Sequence, residues 1–588
     1  MPEAVHYRVS MLRPHSHLFE VEATFPAAPE PLAAVLPVWT PGSYLVREFS
    51  RQLQDVSATG PGGEPLAVRR VDKRTWRVES QGRPVTLRYR VYAHELTVRT
   101  SHLDGSHGYF NGATLFLYTE ATRGLEHHVT VEAPAGWRTF TALEHRDGVF
   151  VASDYDELVD SPFEVGPHTP LTFTAAGVPH EVVVWGDAVH EPGRMCTDLQ
   201  RVCEAQAKLF GGLPHRRYLF LVYLTDKGRG GLEHGASTAL LFPRVGLQSA
   251  RGWEDFLTLA AHEYFHLWNV KRVKPRALVP FDYSQENYTS LLWAFEGVTS
   301  YYDNLFVLRA GLMSASRYLT RLGETLSALQ ATPGRKVQTL AESSLVCWVK
   351  HYRPDEHSPN SAISYYLKGE VVAVLLDLEL RRLTGNERSL DDLMRLLWRR
   401  YGDGSGVPED GVEAAAAEVA GQDLSAFFDR ALRTTQELDL SPFAHVGLEV
   451  RLRPRESTGD RGGSPPPRTK GEGRPKGWLG VVPKGGFTFS AVLEGSPAQE
   501  AGLYVDDELV ALDGWRVDTG TLLTRCDDKS PGDTVRLTVF RRDKLVEVPV
   551  VLGQKPADAV WLARMDKPTD AQKAAYQAWL GTPWEEPG

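Results

Sequence analysis

The chain has 588 residues, 42% hydrophobic and 24% charged, with a net charge of −10. A single hydrophobic core stops growing at about 250–300 residues, so roughly two to four domains are expected. The acidic balance excludes nucleic acid and anionic membrane as main partners, since both require a basic face. No window approaches the ~18 uninterrupted apolar residues of a membrane span.

The first ten residues, from Met1 to Ser10, lack the apolar core of a signal peptide. Residues 1–175 alternate in the manner of strands at His6–Val9, His17–Phe25, Thr75–Glu79, Val85–Tyr92 and His128–Glu132, with turn signals such as Pro61-Gly62-Gly63 between runs. An all-β sandwich is predicted. After about residue 180 the pattern changes. Tyr218–Leu224 and Thr238–Phe242 read as apolar strands. Helical spacing then dominates in Trp253–Val270, Tyr288–Leu312, Ser314–Leu329, Ile363–Leu383, Ser389–Tyr401 and Leu424–Thr434. Residues 456–476, rich in glycine, proline and charge, are predicted to be a flexible linker. A small domain follows at 477–555, with a tail at 556–588. Cys196, Cys203, Cys347 and Cys526 form no CxxC pair, which predicts free thiols and a reducing, cytoplasmic setting.

The chemistry concentrates at His262-Glu263-Tyr264-Phe265-His266. Histidines at i and i+4 on a helix present both rings on one face, where they can chelate one ion. Zn²⁺ takes imidazole nitrogen, and a catalytic site has three protein ligands and one open position. Glu263 can take a proton from the water held there. A third ligand is required. Glu296 lies on the next predicted helix among Trp293, Phe295 and Val298, where a lone buried carboxylate is costly unless paired or metal-bound. Asp303 is its competitor. One zinc ion, held by His262, His266 and Glu296, is the expected cofactor.

The stretch from His262 through Asn269 to Arg272, Trp293-Ala-Phe-Glu-Gly-Val-Thr-Ser-Tyr-Tyr302, and Trp39-Thr-Pro-Gly-Ser-Tyr-Leu-Val-Arg-Glu-Phe49 together resemble the glycyl aminopeptidase family of gluzincin metallopeptidases. The resemblance implies a multidomain α+β fold. It comprises an N-terminal all-β sandwich, a thermolysin-like, mainly helical catalytic domain with a small sheet at 176–455, and a C-terminal PDZ domain. It implies release of N-terminal residues from peptides, with glycine favoured and alanine after it. Gly230-Gly231-Leu232-Glu233-His234 is similar to the Gly-x-Met-Glu-Asn segment of larger zinc aminopeptidases, which implies that Glu233 binds the free α-amine. His234 replaces the usual Asn. Tyr365-Tyr366-Leu367-Lys368-Gly369 is similar to their Tyr-x-Lys-Gly segment, which implies that Tyr366, rather than its neighbour Tyr365, donates to the oxyanion. Ser300 stands where thermolysin-type enzymes place the Asp that orients a ligating histidine, so a different group must do this here.

Gly477-Trp478-Leu479-Gly480-Val481 and the segment from Gly495 to Val517 resemble a PDZ domain. In that family Trp478, Leu479, Gly480 and Val481 would form the loop that receives a terminal carboxylate, and a peptide would add to the sheet edge. The alternative is that the module only packs on the catalytic domain. Two functional alternatives also stand: an endopeptidase with the same zinc site, and a non-catalytic peptide-binding scaffold or chaperone built from the β and PDZ domains.

Overall fold

The computed structural model describes residues 4–27, 31–187, 191–466 and 474–584. The chain forms two compact units. One comprises Met1–Tyr288, Tyr302–Leu312 and Arg395–Pro408, and the other Thr289–Tyr301, Met313–Met394 and Glu409–Gly588. Among the described residues no helix is long and apolar enough to cross a membrane.

The first unit begins with an N-terminal β domain. Its main sheet has eight strands, and Ala4–Ser10 lies between Glu126–Glu132, to which it is parallel, and Leu18–Phe25, to which it is antiparallel. The strict alternation read from the sequence is the cause. Val5, Tyr7 and Val9 point into the core with Phe19, Val21, Leu87 and Tyr89, while Arg8 pairs outside with Glu132 and Glu22. Smaller sheets complete the domain. One joins Arg138–Phe140, Phe163–Gly166, Gly108–Phe110 and Ser101–Leu103.

A five-stranded sheet follows, ordered Leu171–Ala175, Val178–Trp185, Tyr218–Thr225, Ser237–Pro243 and Gly230–Glu233. Tyr218–Thr225 is central and buried along its whole length, which explains its unbroken apolar sequence. Gly230–Glu233 is the edge strand, antiparallel to Ser237–Pro243. The helices Pro192–Phe210 and Ala250–Phe265 belong to the same unit.

The second unit is mainly helical before the PDZ domain, with Ala315–Gln330, Tyr365–Leu383 and Gly411–Ala420 as its longest helices there. The PDZ core gathers Leu479, Phe489, Leu509, Leu522, Val535, Leu537 and Val550. Its strand Val481–Gly485 pairs with Thr488–Val492, and among the described residues that is its one strand neighbour. Both ends of the Asn360 amide grip this hairpin: Nδ2 donates to the Val492 carbonyl (2.8 Å) and Oδ1 accepts from the Glu494 N–H (2.9 Å).

Two segments differ from their sequence reading. Within the expected linker, Gly463 N–H donates to the Val560 carbonyl (2.7 Å) and the Gly462 N–H to Asp460 (2.8 Å), so residues 456–466 are tied down; residues 467–473 lie outside the described residues. The expected tail folds back. Ala559–Arg564 pairs antiparallel with Leu448–Arg453, and the helix Asp570–Leu580, started by a capping box of Thr569 and Gln572, buries Tyr576 and Trp579. Trp579 Nε1 donates to the Tyr301 hydroxyl (2.9 Å). Apolar Ala575, Tyr576, Trp579 and Leu580 at helical spacing are the sequence cause.

Candidate active site

The helix Ala250–Phe265 opens on Ser249, whose hydroxyl accepts from the Gly252 N–H (2.9 Å). Its apolar face, Phe256, Leu257, Ala260, Tyr264 and Phe265, is buried. Gln206 donates to the Ala261 carbonyl (2.8 Å), and the Tyr264 hydroxyl meets His180 Nε2 (2.8 Å), so the helix is gripped at both residues flanking the His262-Glu263 pair. The helix ends at Phe265, earlier than the predicted Val270. The chain turns sharply, with Val270 at a φ of 122°, a conformation a β-branched residue adopts only under constraint. The turn brings the Asn269 carbonyl 2.7 Å from His266 Nδ1.

The His262 and His266 rings lie 4.8 Å apart. His262 Nδ1 is 3.3 Å from Asp303 Oδ2. Each ring therefore has an oxygen partner on Nδ1, the outer contact usual for a histidine that ligates a metal through Nε2. Burial raises the Asp303 carboxyl above its ordinary value, with His262 the main counterweight. Glu296 sits in a π-helical turn, Trp293–Gly297, that runs directly into the helix Val298–Arg309 carrying Asp303. A Cβ on Gly297 would lie 2.5 Å from the Gly369 backbone, so two glycines permit the close crossing of this turn with Tyr365–Leu383. His262 and His266 offer two imidazoles at the end of one helix of the first unit, and Glu296 is a buried carboxylate of the second. Two imidazoles and one carboxylate are a donor set that suits zinc.

Glu263 is buried, and an added Cβ at Gly231 would fall 2.1 Å from its Oε1. Gly231 thus leaves the volume that Glu263 fills. Glu233 follows on the same edge strand, and an added Cβ at Gly42, which has a φ of +85°, would lie 2.5 Å from its carboxylate. Glu233, Glu263 and His266 form a second group of donor atoms within 4.8 Å of one another. Gly230 begins the strand, and Arg99 Nη2 donates to the Gly231 carbonyl (3.3 Å). His234 turns away to Asp160 (3.2 Å), which also holds Lys271 Nζ (2.5 Å) and the Gly235 N–H (2.8 Å). Burial opposes the charge on Asp160, but Lys271 and His234 more than offset it and hold the carboxyl at about 2.

Tyr366 is half-buried, with its hydroxyl 3.4 Å from that of Tyr352 and its ring 5.5 Å from His351. Tyr365 is wholly buried. In the PDZ domain, Gly480 has a φ of +83° against Ser496. The Leu479 and Gly480 carbonyls accept from Ala498 and Leu493, so this loop is fixed from behind. Trp478 pairs with Gly553, and Val481 opens the strand beside helix Thr519–Asp527.

Asp303 was legible only as a rival ligand, and Asn269, Arg99, Asp160 and Gly42 were not singled out from sequence. The Pro41-Gly42 turn was the available signal for the last of these.

Residues 6–167 match the family model of the Peptidase M61 N-terminal domain, residues 255–372 that of M61 glycyl aminopeptidase, and residues 467–552 that of the PDZ domain. The crystal structure of an aminopeptidase N family protein from Idiomarina loihiensis is 32% identical, with a TM-score of 0.92, over 98% of this chain and 100% of that one. The chain belongs to the M61 glycyl aminopeptidase family. Membership makes it a zinc metallopeptidase of the aminopeptidase class. An M1 zinc metallopeptidase from Deinococcus radiodurans aligns over 75% of this M61 chain and 95% of its own, at 13% identity and a TM-score of 0.49, a likeness too low to carry an argument. A probable periplasmic serine endoprotease, DegP-like, from Chlamydia muridarum is 38% identical over 74 residues, 12% of this chain and 15% of that protein.

Proposed function

We propose that this M61 peptidase removes the first residue from peptides with a free α-amine, glycine favoured and alanine after it. The observation that carries the reading is Glu233: a buried carboxylate on an edge strand, in one group with Glu263 and His266. A negative charge fixed there suits a substrate ammonium, and it limits the distance between the chain terminus and the cleaved bond. The glycine preference rests on the family match.

Zinc held by His262, His266 and Glu296 supplies Lewis acidity to the scissile carbonyl and the attacking water. The remaining work falls to the chain's own residues. Glu233 binds the amine. Gly230 and Gly231 let the substrate backbone lie along the open edge of their strand. Glu263 takes the proton of the attacking water and returns it to the leaving nitrogen. Tyr366 donates its hydroxyl to the carbonyl oxygen as charge develops there. Trp478, Leu479, Gly480 and Val481 receive the C-terminal carboxylate of a second peptide at the PDZ domain, whose strand Val481–Gly485 keeps a free edge among the described residues. The four cysteines, all unpaired, suit a cytoplasmic setting.

Glu233→Gln tests the amine assignment. Loss of a charge-assisted contact should lower kcat/KM on free-amine glycyl substrates about 10–100-fold and leave zinc content unchanged. A variant that still rejects N-acetylated substrates and cleaves the free amine at the wild-type rate would remove Glu233 from the reading. Internal cuts in an N-acetylated peptide would favour the endopeptidase. Peptide binding insensitive to chelator, with no cleavage, would favour the scaffold.

A further inference from the structure

The N-terminal β domain contains a second cluster of metal-ligating side chains, outside the catalytic site. The hairpin of Ser101–Leu103 and Gly108–Phe110 presents His102 and His107, and Asp104 lies in the turn between them. Each offers a ligand atom within 4.8 Å of the other two. His107 is fully buried and His102 is 6% exposed. In both rings Nδ1 is already engaged: His102 Nδ1 with the His94 carbonyl (3.0 Å), His107 Nδ1 with Glu164 Oε1 (3.0 Å). The nitrogen left over is Nε2 in each ring, and both Nε2 atoms are buried: that of His107 has no hydrogen-bond partner, and that of His102 faces only the Asp104 carboxylate. A buried nitrogen left unsatisfied beside a second imidazole and a carboxylate calls for an occupant.

The rest of the cluster agrees. Asp104 Oδ1 accepts from the Ser106 N–H (2.7 Å), the Ser106 hydroxyl (2.6 Å) and the His107 N–H (3.2 Å), which fixes the carboxylate and leaves Oδ2 toward His102 Nε2, 3.3 Å away. That separation matches two ligands about 2.0–2.1 Å from one tetrahedral zinc. Glu164 behind His107 has the place of an outer carboxylate that orients a ligating imidazole. Glu164 does not itself need an ion, because it accepts from His107, His168 (2.6 Å) and the Tyr223 hydroxyl (3.0 Å). The Asp104 side chain is 35% exposed, which gives an entry path.

We propose that His102, Asp104 and His107 bind a divalent transition-metal ion, zinc by donor type, as a structural site separate from the catalytic one. Two imidazoles and one carboxylate favour zinc or its borderline neighbours over magnesium or calcium. The ion would clamp the hairpin to His94. The loop from His94 to His102 carries Val98, whose carbonyl accepts from Tyr109 (2.8 Å), and Arg99, which holds the Gly231 carbonyl. The site therefore braces the segment behind the edge strand.

Elemental analysis of the full chain, equilibrated with micromolar zinc and freed of excess, reads the proposal without reference to activity. Wild type should hold about two zinc per chain, and His102→Gln about one. A His262→Ala/His266→Ala double variant should also keep about one, and lose it when His102→Gln is added. Asp104→Asn, at the exposed side of the cluster, serves if His102→Gln fails to fold, and should lower zinc affinity at least tenfold at one site. One zinc in wild type, with a second zinc absent on titration, would overturn the proposal and leave water as the occupant. So would a wild-type zinc count in both His102→Gln and Asp104→Asn.

Discussion

Asp303 Oδ2 stands 3.3 Å from Nδ1 of His262, on the helix that continues from the π turn of Glu296. One helical run thus carries a proposed zinc ligand and the carboxylate that orients another. Outer partners of this kind typically change metal affinity about 10–100-fold when removed. Asp303→Ala should weaken zinc binding by that factor in a chelator competition, with turnover recovered at saturating zinc. Unchanged zinc affinity would mean that Asp303 does not orient His262.

Glu263→Gln keeps the size of the side chain and removes the base. Zinc content should match wild type, and kcat on a glycyl arylamide should fall about 10²–10⁴-fold. Retained activity would end the general-base assignment.

Gly231→Ala tests the close approach of the edge strand to Glu263. The new Cβ would sit 2.1 Å from Oε1, so the carboxylate must move. Displacing a catalytic group by about 1 Å can cost about 10²-fold, and the loss should appear in kcat with normal zinc content. The matching change at Gly42 crowds Glu233 instead, and should act on free-amine substrates through KM.

Acid should loosen the first unit before it strips its carboxylates. Burial, opposed by the Val178 carbonyl, lowers the His180 ring to about 4 from an ordinary 6.5. Burial likewise lowers His127 to about 4. Below 6.5 the unfolded chain gains protons that the folded chain refuses, so stability is full above 6.5 and falls as pH drops toward 4. Each ring contributes on the order of 3 kcal/mol over that span. Melting temperature should decline across it, and His180→Gln should flatten the slope. A flat wild-type profile would contradict the buried neutral rings.

The site divides by how local its chemistry is. His262 and His266 were legible because one helix fixes their spacing. The β domain was legible because its strands alternate cleanly, as at Val5, Tyr7 and Val9. The contact of Asp303 with His262 escaped the sequence reading because the four-residue rule points from Glu296 to Ser300, whereas Asp303 stands seven residues on, beyond a π turn. Asn269 acts through its backbone carbonyl, which no side-chain pattern reveals. Gly42 and Arg99 reach the edge strand from distant segments of the chain. The C-terminal helix was passed over as tail, although Tyr576 and Trp579 mark its buried face.

The central claim is zinc-dependent cleavage directed by a free amine. The most direct measurement compares glycyl arylamide with its N-acetylated form, in zinc-loaded enzyme, after chelation, and after zinc is restored. The account predicts cleavage of the free-amine substrate alone, lost on chelation and regained with zinc. Equal cleavage of the acetylated substrate, or cleavage that survives full removal of zinc, would contradict it.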